Sequence, residues 1–129
     1  MLTNSSSDHP VLDITYSLFL VILQKFIKMC NTLNSKLEEI LGNNGVLLYP
    51  SHSTPAPYHG QALIKTANFS YTAIFNVLGN PVTQVPLGIS KTWGVPLGIQ
   101  VVSAKNQDRN SLYMALQLEK MFGGWCNSF

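Results

Sequence analysis

The sequence predicts an α/β fold, with about three strands of a mixed sheet packed by three helices and incomplete as a domain. Three observations carry this expectation. Apolar residues recur at helical spacing from Ile14 to Ile40, and the runs Val46–Tyr49, Val82–Leu87 and Leu97–Val102 read as strands bounded by proline or glycine. The third is composition: 46% of residues are hydrophobic and only 11% charged, where an ordinary soluble domain has about 25% charged. A chain of 129 residues is long enough for one small domain, so the incompleteness is inferred from the scarcity of water-facing residues.

The first helix is expected from the face formed by Ile14, Leu18, Val21, Ile22, Phe26, Met29, Leu33, Leu37 and Ile40, with Asp13 as its cap. Residues 1–12, polar and rich in serine, read as a flexible lead-in, 13–126 as the folded portion and 127–129 as a tail. Gly42-Asn43-Asn44-Gly45 supplies residues that tolerate positive φ and ends the helix. Val46-Leu47-Leu48-Tyr49 does not alternate, which fits a strand buried on both faces and therefore a parallel sheet. Pro50 to Lys65, with Pro55, Pro57 and Gly60, is a loop leaving that strand. Thr66–Leu78 follows as a helix stopped by Gly79. Val82–Leu87 and Leu97–Val102 form a hairpin around Ser90–Gly94, with Pro86 and Pro96 confined to edges, strand starts or bulges. Asp108 stands at the N-cap of a last helix that ends at Gly123-Gly124.

Several function classes are disfavoured. The net charge of +2 arises without a basic cluster, so nucleic acid is not an expected partner. Ile14–Ile27 is apolar but broken by Gln24 and Lys25, short of the ~20 residues of a membrane span. Cys30 and Cys126 are far apart and read as free thiols. No metal site and no cofactor is expected.

Hydrolytic chemistry needs an activated nucleophile, a base and donors for an oxyanion. The sequence holds no Gly-x-Ser-x-Gly elbow and no Ser-x-x-Lys. Ser90-Lys91 are neighbours in a turn, where a solvated turn is the better reading. His52 and His59 flank the proline-rich loop, yet no Cys, Asp or Glu nearby completes a zinc ligand set. They read as loop histidines bonded to backbone. Glu38-Glu39 point about 100° apart on a helix, so they and the pair Asp108 and Glu119 read as solvated face and cap.

A different signal comes from ordered short motifs. Phe75-Asn76-x-x-Gly79-x-Pro81-x-Thr83-x-x-Pro86-x-Gly88, Gly94-x-Pro96-x-Gly98-x-Gln100 and Asp108-x-x-x-Leu112-x-x-Ala115-x-x-x-Glu119 occur in that order. With Leu48-Tyr49-Pro50-Ser51-His52 and Lys120-Met121-Phe122-Gly123-Gly124-Trp125, they resemble the C-terminal part of amidase signature hydrolases of the type-2 fatty-acid amide hydrolase kind, over roughly Ile14 to Trp125. The resemblance implies amide hydrolysis by a Ser, cis-Ser and Lys triad in a full-length parent, acting on a lipid-like amide and compatible with membrane association. Those three residues lie in the N-terminal part of such enzymes and have no counterpart here, so no catalytic residue is carried over. The resemblance does place the Ser70–Asn76 region beside an acyl pocket and makes Thr72 and Phe75 substrate-pocket candidates, against the alternative of helix packing. Asn80, where the resembling proteins often carry an apolar residue, and Ser103-Ala104-Lys105-Asn106, in place of a connection with glycine or proline, depart from the pattern.

The resulting expectation is a serine amidase fragment, noncatalytic alone and prone to self-association through exposed sheet edges. The alternative is a free-standing noncatalytic module, derived from the amidase fold, that binds a lipid-like ligand or a partner.

Overall fold

The computed structural model describes residues 10–61 and 66–124. Helix α1 runs Pro10–Leu41, strand β1 Val46–Pro50, helix α2 Ser70–Leu78 after a 3-10 turn at Thr66–Phe69, strands β2 Val82–Ile89 and β3 Pro96–Ser103, and helix α3 Asp108–Phe122. Among the described residues these three strands and three helices follow one another in the expected order. The tail 127–129, Cys126 and residues 1–9 of the lead-in lie outside the described residues.

The sheet has the order β1-β3-β2, and both pairings are antiparallel. This corrects the parallel sheet inferred from β1. A short apolar run cannot distinguish a strand buried on both faces from an edge strand under a helix, and β1 is an edge strand whose residues are half-buried or exposed. The β2–β3 hairpin forms as expected, with Val85 opposite Ile99 and a register irregularity between Pro86 and Ile89. Gly88, at φ 91°, supplies there a backbone conformation that side chains with a Cβ rarely adopt.

Partners directly opposite in a sheet share a face, and the pairing sorts the chain into two layers. Val85, Ile99 and Val101 face α3, where they pack with Leu118, Met114 and Ala115. Tyr49 and Gln100, opposite one another, face the other way. There the Tyr49 ring meets Phe75 edge-on at 5.2 Å and Tyr71 at 5.8 Å, so α2 covers this second face. Val101 and Val102 are both wholly buried, which places the core on either side of β3.

Helix α1 ends before Gly42 as expected but departs from expectation at its start. It begins at Pro10, a residue tolerated in a first helical turn because its missing N–H would be unpaired there. Asp13 thus lies within the helix and residues 10–12 are helical. Its apolar face is the larger surprise: Leu18, Val21, Ile22, Phe26, Met29 and Leu33 are exposed, Leu37 is half-buried and Leu41 is buried. At the other end of the chain, Asp108 is the first residue of α3, and Gln107 holds the N-cap position without a side-chain cap bond.

Leu118→Ala, in the cluster between β2, β3 and α3, is expected to lower stability by ~2–5 kcal/mol. Urea unfolding checks this as a lower midpoint with unchanged slope, and Leu116→Ala, on the exposed side of α3, is expected to shift the midpoint far less.

Candidate functional site

The polar residues on the α2 side of the sheet gather where β1 ends. Gln84 and Gln100 stand opposite each other on β2 and β3. Buried Gln100 donates from Nε2 to the Pro50 carbonyl at 3.0 Å and to the Tyr71 carbonyl at 3.1 Å. One side chain thereby joins the exit of β1, the start of α2 and the central strand. Ser51 donates from its hydroxyl to Gln84 Oε1. Gly98 leaves room for this pair, because a Cβ there would displace the Gln84 side-chain amide and approach the Val85 carbonyl at 3.1 Å.

These residues border a cavity of about 310 Å³ lined by Ser51, His52, Thr54, Gln84, Leu97 and Gly98 among others. His52 Nδ1 lies 2.9 Å from the Thr54 carbonyl oxygen, 3.2 Å from its amide nitrogen and 3.3 Å from its hydroxyl, so this ring nitrogen is engaged by the backbone and side chain of one loop residue. His59 is exposed, outside the residues lining this cavity. No group of three or more potential metal ligands occurs among the described residues.

Four serine hydroxyls are bonded to amide or carbonyl groups rather than to a base. Ser51 donates to an amide oxygen, Ser103 to the Gln107 carbonyl at 2.7 Å and Ser111 to the Asp108 carbonyl at 2.9 Å. Ser90 Oγ accepts the Trp93 amide at 3.3 Å. Amide and carbonyl oxygens orient a hydroxyl but are far too weakly basic to take its proton.

The pocket candidates occupy different environments. Thr72 is exposed and donates from its hydroxyl to the Phe69 carbonyl at 3.0 Å. Phe75 is 3% exposed against Tyr49, and its edge contributes to a shallow cavity of about 400 Å³ with Asn76, Gly79, Asn80, Pro81, Asn106 and Asp108. The two residues share α2 without converging on one cavity wall.

A second polar cluster forms at Glu38, where the sequence suggests only a solvated helix face. Glu38 accepts Asn80 Nδ2 at 3.0 Å and the Lys105 backbone N–H at 3.1 Å, while Asn80 Nδ2 also donates to the Ser103 carbonyl at 3.1 Å. Glu38 is therefore a half-buried tie between α1, the turn after α2 and the connection after β3. Asn80 and the Ser103–Asn106 connection, noted separately as departures from the amidase pattern, meet on this one carboxylate.

Gln100→Leu keeps the bulk but removes the donor from two carbonyls, and is expected to cost ~1–3 kcal/mol. Hydrogen exchange should quicken at residues 51–54 and at the start of α2. Protection unchanged in those segments would show that Gln100 does not hold them.

No family model matches the chain, and no solved structure matches it. Curated relatives do. It is 58% identical over 94 residues to fatty-acid amide hydrolase 2-A of Danio rerio, covering 73% of this chain and 18% of that protein. To fatty-acid amide hydrolase 2 of Homo sapiens it is 50% identical over 102 residues, 79% of this chain and 19% of the relative. A 6-aminohexanoate-cyclic-dimer hydrolase of Paenarthrobacter ureafaciens is 40% identical over 50 residues, 39% of this chain and 10% of that enzyme. The chain thus spans about a fifth of the length of the first two of these relatives. A match of 102 within 129 residues leaves 27 unmatched, so residues 28–102 lie inside it wherever it starts. From the end of α1 through nearly all of β3, this is an amidase-family chain, related to the fatty-acid amide hydrolase 2 proteins.

Proposed function

We propose that this chain supplies the noncatalytic C-terminal portion of a serine amidase that hydrolyses lipid-like amides, and that it has no hydrolase activity alone. The observation that carries the reading is identity of 50–58% to fatty-acid amide hydrolase 2 proteins over about three quarters of the chain. Supporting it, the sequence lacks the Gly/Ser-rich segment with paired serines that the Ser, cis-Ser and Lys mechanism requires. The engaged hydroxyls of Ser51, Ser90, Ser103 and Ser111 offer no substitute.

Within a complete amidase, the part played by this chain is positional. The sheet and α3 form a packed support, and Gln100 sets the start of α2 against it. Thr72 then faces outward as a wall of an acyl pocket, while Phe75 braces the helix from behind through Tyr49. Apolar pockets are built in this way, from aliphatic and aromatic walls with a few fixed polar groups.

The purified chain is expected to release no ammonia from long-chain primary amides above the buffer rate. Hydrolysis abolished by Ser51→Ala or His52→Ala would sink the noncatalytic reading. In an amidase reassembled around this chain, Thr72→Val is expected to change KM with acyl length while leaving kcat nearly constant. A KM unchanged across acyl lengths would remove Thr72 from the pocket.

A further inference from the structure

The exposed face of α1 meets α2 in a groove of about 790 Å³, floored by Phe26, Met29, Leu33 and Val77 and rimmed by Lys25, Lys28 and Lys36. We propose that this groove is the docking surface for the remaining four-fifths of an amidase chain, which seats on it an amphipathic helix with an apolar ridge flanked by acidic residues. The inference rests on the amidase reading above and adds to it the surface through which the two parts join.

Three observations favour that occupant. The matched relatives are about five times as long as the stretch they share with this chain, so in them the stretch stands alongside much more protein. The stretch shared with the Homo sapiens relative includes residues 28–102 and hence Met29, Leu33, Lys36 and Val77, which belong to the groove. The exposed apolar run from Leu18 to Leu33 extends beyond one face of α1, since Phe19, Leu20, Leu23 and Ile27 are exposed as well, and an apolar surface of that extent marks a region that another element covers. The lysines set the chemistry of the cover, since cations bordering an apolar trough favour carboxylates on either side of an inserted ridge.

The test co-expresses the full chain with the portion of the Danio rerio relative that lies outside the match. The expected result is a soluble one-to-one complex by size exclusion, weakened at least tenfold by Leu33→Asp. Because Leu33 is exposed, Leu33→Asp should leave the unfolding midpoint of the chain alone unchanged, which separates lost docking from lost folding. Lys28→Glu provides a second variant, expected to weaken the complex and to make it less sensitive to salt.

Failure to obtain a complex with the unaltered chain overturns the proposal. So does a discrete homodimer, broken by Leu33→Asp but not displaced by the complementary portion, which would assign the groove to a second copy. A complex indifferent to Leu33→Asp would remove the groove as the junction while leaving the amidase reading intact. Amide hydrolysis by the isolated chain would instead remove that reading, whatever the groove binds.

Discussion

The position of β3 between two antiparallel partners is the constraint on which the other elements depend. Its two faces are closed by different helices, α3 against Ile99 and Val101 and α2 across Tyr49 and Gln100. Burial on both sides leaves a polar side chain costly unless it is paired. Gln100 meets that demand by spending its amide on the carbonyls of Pro50 and Tyr71, and so the central strand also dictates where β1 ends and α2 starts. A hydrophobic residue there would close the layer without fixing those two places.

Local patterns were legible where a residue's role is local. Gly42 at φ 54°, Gly79 at φ 76° and Gly123 at φ 82° stand at the helix ends that the sequence marked, because left-handed backbone is a property of single residues. The hairpin followed for the same reason. Strand direction was not legible in Val46–Tyr49, since parallel and edge antiparallel neighbours both accept an apolar run. Asp108 was misplaced by one position, a shift of the order that separates a cap from a first turn.

The candidate site was less legible because its decisive contacts are long-range. Glu38 sits beside Glu39 in sequence and looks like part of a charged face, yet its partners are 42 and 67 residues away. Nothing near Glu38 announces them. The spacing pattern that carried the amidase resemblance proved more informative than any single reactive side chain. Relationship to a family was therefore readable even though Ser51 and His52 each satisfy structural bonds.

The prolines that punctuate the sheet have a further consequence for how copies of this chain can associate. Both outer strands carry one, Pro50 in β1 and Pro86 in β2. Lacking an N–H, each interrupts the ladder that an incoming strand would need to build. Templated growth of the sheet into a fibril is thereby checked at both borders. What the chain leaves open instead is the apolar length of α1, a surface of side chains with no strand edge to extend.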